Sequence, residues 1–236
     1  MQIVQYNPTR HDRFGGELWR QFPLAGAIGR DVDDAVSGSP AWANMLENPS
    51  APDAPLRYFI SSGHMWPRKP TWFWPTWSGV DEPMKCVVDS WRLFLPNEAG
   101  RVFGLCLGRL AEPMPFVASG FQLPGLHYDP AFRSMVCIGG SRNGNKAGMR
   151  MGIRTAGGVS AFLMGGRIPA LEMPTPRIGR RDDCVCAEIY DSGGAIMDMD
   201  LTMGGCNELV AIWTTPSAAT LVAPHAAAIL EAMESD

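Results

Sequence analysis

Tyr190-Asp191-Ser192-Gly193-Gly194-Ala195-Ile196-Met197 is the stretch on which the fold reading turns. It sets one serine between an aspartate and two glycines, then runs on into apolar residues. A serine hydroxyl is a poor nucleophile by itself. It needs a base within hydrogen-bond reach and backbone N–H groups aimed at the developing oxyanion. Glycines after the serine let the chain turn tightly and let another backbone approach. These residues alone fit a Gly-rich hairpin turn equally well, so the surroundings decide. After the motif come a strand over 195–200, a loop, a strand over 209–213 and a short segment at Thr220-Leu221-Val222. Pro224 then opens a final helix through Glu234, with an apolar stripe of Ile229, Leu230 and Met233.

Upstream, 26 glycines and 20 prolines cut the chain of 236 residues into short pieces. Short apolar runs bounded by Gly, Pro, Asn or Asp read as strands. They fall at 2–6, 56–61, 85–88, 91–95, 101–107, 135–138, 149–154, 159–164 and 184–190. Many short strands without alternating helices favour a barrel or a sandwich over βαβ units. One further helix is expected from the Ser39-Pro40 start through about Leu46.

Composition narrows the class. Hydrophobic residues at 46% and charged residues at 19% describe a globular chain with a sizeable core. A net charge of −4, with Arg180-Arg181 offset at once by Asp182-Asp183, gives no basic face for nucleic acid. No apolar run approaches the roughly 18–20 residues of a membrane span. The first residues lack the pattern of a signal peptide, so a cytoplasmic location is expected, with the six cysteines as mostly buried free thiols. The cysteines and histidines show no paired metal-ligand spacing, so neither metal nor cofactor is expected. Gly139 to Lys146 invites a phosphate-loop reading, but Lys146 does not directly follow Gly144 and no Ser or Thr follows it. That stretch is expected to be a loop between strands. The aromatic cluster Trp66, Trp72, Phe73, Trp74 and Trp77 reads as core, with a cleft wall as the alternative.

A second element bears on the serine. Leu56-Arg57-Tyr58-Phe59-Ile60-Ser61-Ser62-Gly63-His64 is an aromatic and aliphatic strand ending in small residues and a histidine. Together with Asp191-Ser192-Gly193-Gly194 and its strand–strand–helix sequel, it resembles the trypsin-like serine proteases. The match runs from about Cys184 to the C-terminus, with the upstream histidine segment besides. The resemblance implies two packed antiparallel β-barrels of chymotrypsin type with a C-terminal helix. The first barrel would occupy 1–111 and carry His64 and Asp89. The second would occupy 112–236 and carry Ser192. It implies a serine endopeptidase working through a Ser-His-Asp triad and an acyl-enzyme on a protein or peptide substrate. Asp89, directly before an alternating apolar strand, fits the third member best, with Asp81 as runner-up.

The resemblance also implies an oxyanion hole from the N–H groups of Ser192 and Tyr190, and a primary pocket built by Cys186, Thr214, Thr215 and Pro216. None of these supplies a carboxylate for Arg or Lys, so uncharged residues are expected before the cleaved bond. Tyr190 departs from the family, which has glycine there. That departure opens the alternative of a catalytically inactive protease-like binding or assembly domain. The sequence does not match the usual mature start of a trypsin-style zymogen, so its nucleophile loop is expected to be ordered by its own packing or by an activating protein partner. A third reading, an α/β-hydrolase pairing Ser192 with His225, lacks βαβ alternation and has its serine late in the chain.

Overall fold

The computed structural model describes residues 23–29, 41–64, 71–75, 86–94, 104–115, 118–125, 128–143, 146–163, 167–173, 192–215 and 217–235. They form a closed six-stranded antiparallel barrel and a seven-stranded antiparallel sheet curved into a half-barrel. The barrel strands are β1 (Ala25–Gly29), β2 (Ala41–Leu46), β3 (Tyr58–Ser62), β4 (Trp72–Pro75), β5 (Cys86–Phe94) and β6 (Leu105–Leu110). Their order is β1-β2-β3-β6-β5-β4, closed by pairing of β1 with β4. The sheet strands are β7 (Ser134–Asn143), β8 (Lys146–Thr155), β9 (Val159–Leu163), β10 (Arg167–Glu172), β11 (Ala195–Asp198), β12 (Ala211–Thr215) and β13 (Ala218–Leu221). Helix α1 (Met199–Met203) follows β11, and helix α2 (Ala226–Glu234) ends the chain.

The expected helix near Ser39 is a strand. Residues Ala41–Leu46 are buried on both faces. Ala41, Ala43 and Met45 point into the barrel, while Trp42 and Leu46 point into a second core beyond it. That period of two is a strand's, and pairing with β1 and β3 overrides the local helix signals of Ser39-Pro40, which lie outside the described residues. The runs at 85–88 and 91–95 are one strand, β5, interrupted by a register shift at Asp89. Where a loop was expected, residues 139–143 are the end of β7 and Lys146 the start of β8, paired with each other, and residues 144–145 lie outside the described residues. Phe73 and Trp74 are core, with Phe73 stacked on Phe59 at 5.4 Å. Trp66 and Trp77, and the expected strands at 2–6 and 184–190, lie outside the described residues.

Among the described residues three large cores stand out. One fills the barrel and one lies under the seven-stranded sheet. The third joins the two, with Trp42, Ile60, Met197 and Ile212 packed against Ile229 and Met233 of α2. Ile229 and Met233 of the stripe read from the sequence seal the junction with Ala232, while Leu230 is only half-buried and lies outside that core. The connecting segment 118–125 ties the halves further. Phe121 exchanges backbone hydrogen bonds with Met45 and Glu47 on one side, and Gln122 with Asn207 and Leu209 on the other. Among the described residues no helix is long and apolar enough to cross a membrane.

Candidate functional site

The site is built from two chain reversals that meet at this junction. The first follows β3. Ser61 and Ser62 end a strand buried along its whole length, and Gly63 turns the chain into His64. At Gly63 a side chain would run into the Gly104 backbone at 2.6 Å, and its N–H donates to the Gly104 carbonyl at 2.7 Å. Only glycine allows this approach, and it brings His64 out past the end of β6. The second reversal is Ser192-Gly193-Gly194, entering β11. Gly193 has φ +88°, and a β-carbon there would press into the Trp42 carbonyl and, at 2.6 Å, the Ser61 hydroxyl.

The barrel itself holds the Ser192 loop. The Trp42 N–H donates to the Ser192 carbonyl at 2.9 Å, and Asn44 Nδ2 donates to the Gly193 carbonyl at 2.7 Å. Asn44 is fully buried and also donates to the Ile60 carbonyl at 3.3 Å, while its Oδ1 has no partner. A buried amide with an unsatisfied oxygen costs stability. What the position supplies in return is a fork that ties β3 to the loop. From the other side, Gly193 N–H donates to the Trp213 carbonyl at 2.9 Å and Trp213 N–H to the Gly194 carbonyl at 3.0 Å. The loop is thus fastened by both halves of the fold.

The result is a serine–histidine pair. Ser192 Oγ lies 2.7 Å from His64 Nε2, and 3.4 Å from Nδ1. The shorter contact is the hydrogen bond; the longer one sits at the edge of bonding geometry. His64 Nδ1 is bonded to Ser62 Oγ at 2.6 Å. Ser62 is fully buried, and its carbonyl accepts from the Cys106 thiol at 3.2 Å. Burial pushes that thiol far above its ordinary range, so it stays protonated and acts as a donor.

Asp89, expected to orient His64, is elsewhere. Its carboxylate accepts from Arg109 Nε at 2.9 Å and Nη2 at 3.3 Å. Ser90 pairs with Arg109, whereas Phe94 and Ser62 both pair with Leu105 at the His64 end. About 16 Å of strand therefore separates Asp89 from that end. The register shift at Asp89 turns its side chain onto Arg109. The sequence cue, a carboxylate before alternating apolar residues, marked a bulge within β5 rather than a strand start.

The remaining expected residues divide in two. Thr214 is buried on β12, where its hydroxyl is bonded to the Ile212 carbonyl and to Thr220 Oγ1 at 2.8 Å. Thr215 ends the same strand. Asp81, Cys186, Tyr190 and Pro216 lie outside the described residues. His225 sits in the turn before α2, half-buried, and burial holds its imidazole below the ordinary value. The histidine at Ser192 is His64, not His225. Ser62 and Asn44 were not singled out in the sequence. A pair of serines closing a buried strand just before the candidate histidine was the available signal for Ser62. Asn44 gave none, because it sat within an apparent helix. Among the described residues no group of His, Cys, Asp and Glu is placed to hold a metal.

No protein-family model matches the sequence, and no curated protein matches it. Solved structures do match the fold. One is the scabies mite inactivated protease paralogue S-I1, with a TM-score of 0.64, 10% identity, and coverage of 93% of this chain and 97% of that one. Another is the scabies mite inactivated protease paralogue S-D1, with a TM-score of 0.62, 10% identity, and coverage of 92% and 93%. The chain has the chymotrypsin-like fold of the serine proteases, in the form of a closed barrel, a half-barrel and a short C-terminal helix.

Proposed function

We propose that the chain is a serine endopeptidase of low resting activity, with Ser192 as nucleophile and His64 as base. The observation that carries this is the 2.7 Å contact between Ser192 Oγ and His64 Nε2, across elements 128 residues apart in sequence. Ser192 Oγ would attack the scissile carbonyl carbon while its proton passes to Nε2. The N–H groups of Ser192 and Tyr190 would receive the oxyanion. Collapse breaks the C–N bond, and the same proton leaves on the amine. Water then hydrolyses the acyl-enzyme by the reverse relay. The division of labour is one partner per half, with 1–111 supplying His64 and 112–236 supplying Ser192. The substrate is a protein or peptide, and a further protein that docks on the nucleophile loop would raise the activity.

A second reading, a protease-like binding domain that no longer cuts, is favoured by the position of Asp89 on Arg109 and by the inactivated status in the names of the similar structures. A peptide library read by mass spectrometry separates the two. Cleavage after small or apolar residues, lost in Ser192→Ala, is the expected result. Cleavage that survives Ser192→Ala refutes the nucleophile, and a profile dominated by Arg or Lys refutes the neutral pocket.

A further inference from the structure

Resting on the Ser192–His64 reading, we infer that Asn44 is a positioning residue for the nucleophile. Its side-chain amide locks the 193–194 peptide plane and so keeps Ser192 Oγ within reach of His64. Asn44 stands on β2, fully buried among apolar neighbours in the chain. Its Nδ2 donates to the Gly193 carbonyl at 2.7 Å and to the Ile60 carbonyl at 3.3 Å. Both partners are acceptors, so only the nitrogen of the amide can face them. Burying an amide whose Oδ1 has no partner disfavours the fold. Packing therefore does not account for an asparagine here, and the bond it sends to the Ser192 loop does.

The peptide planes after Ser192 are tied one by one. In the first, the Ser192 carbonyl accepts from Trp42 N–H at 2.9 Å and Gly193 N–H donates to the Trp213 carbonyl at 2.9 Å. In the third, the Gly194 carbonyl accepts from Trp213 N–H at 3.0 Å. The second plane lies between two glycines, where no β-carbon resists its rotation, and the Asn44 amide holds its carbonyl. Among the described residues this is the one tie on the 192–194 main chain that a side chain makes, so a substitution can remove it. Gly193 already presses on the barrel, since a β-carbon there would meet Ser61 Oγ at 2.6 Å. Once the second plane is released, the loop relaxes away from β2 and carries Ser192 with it. Ser192 Oγ and His64 Nε2 are 2.7 Å apart. A displacement of about 1 Å costs a reaction up to roughly a hundredfold in rate.

The test compares the full wild-type chain with Asn44→Leu, which keeps the branched shape without a donor, and Asn44→Ala, which only shortens the side chain. In both variants fluorophosphonate labelling of Ser192 is expected to slow roughly tenfold to hundredfold at saturation. The half-saturating probe concentration is expected to stay as in wild type. Amide hydrogen exchange should speed up at Gly193 and Trp213 and stay unchanged along β3 and β6. Exchange that speeds up evenly along the chain, or variants that do not fold, would make Asn44 a structural residue and overturn the proposal. Variants that label within about twofold of a reactive wild type overturn it too. Wild type alone can do the same: Asn44 side-chain amide protons that exchange as fast as a free amide's are not bonded to Gly193. If the exchange pattern is as expected while every form ignores the probe, the Asn44 inference stands and the hydrolase reading is the one that fails.

Discussion

Each side chain at the site is fixed by a neighbour whose chemistry can be stated. Gly193 is the most constrained position, because its φ of +88° and the Trp42 carbonyl leave no room for a β-carbon. Gly193→Ala should destabilise the chain by at least about 3 kcal/mol and detach the Ser192 loop from β2. Urea unfolding read beside probe labelling checks both, and an unchanged midpoint would contradict the clamp. Asp89 makes the opposite case. Its bond to Arg109 is part-exposed, with side-chain exposures of 32% and 22%, so Asp89→Asn should cost less than about 1 kcal/mol. It should also leave labelling of Ser192 within about twofold, whereas a triad aspartate would lose orders of magnitude. That Ser192 and His64 would meet was legible because their types and neighbours are unusual. Asp89 was misread because a lone carboxylate before a strand has the same local pattern whether it faces the histidine or a cross-strand arginine.

At the scale of elements, local signals succeeded where one face is buried and failed where two are. The α2 stripe was readable because its other face is wet. Strand β2 was not, because a run buried on both faces lacks polar alternation, the Ser39-Pro40 pair before it reads as a helix start, and only the pairing partners decide. The junction of β11 and α1 turns on Asp198, a buried carboxylate that caps the helix through the N–H groups of Asp200 and Leu201 and also accepts from Tyr128 and Arg133. Burial pushes its carboxyl upward, but the hydrogen bonds, led by Tyr128, outweigh burial and hold it below the ordinary value. A lowered folded value means stabilisation that is complete above the unfolded value of about 3.9 and lost as pH falls through the folded one. Wild type should therefore exceed Asp198→Asn by roughly 2 kcal/mol near neutrality, and the gap should close in acid below that unfolded value. Denaturant titrations at the two pH values test this, and a gap that does not change with pH would refute it.

At the scale of the whole molecule, the site exists only because the closed barrel and the half-barrel share a core. Trp42, Ile60, Met197 and Ile212, sealed by Ile229 and Met233, fix the distance between a histidine on one half and a serine on the other. The short strands pointed to a barrel or a sandwich, and the resemblance of the serine and histidine segments to the trypsin-like proteases implied two barrels. The clamp between the halves was not, because Asn44 and Gly193 are 149 residues apart and nothing local marks either as a partner. The central claim is that this junction makes Ser192 a nucleophile with His64 as its base. The most direct measurement is intact-mass and peptide mapping after prolonged exposure to a fluorophosphonate, with His64→Ala and Ser192→Ala alongside. The account predicts slow, single-site modification at Ser192 that is abolished in both variants. Modification elsewhere, or labelling of Ser192 that persists without His64, would contradict it.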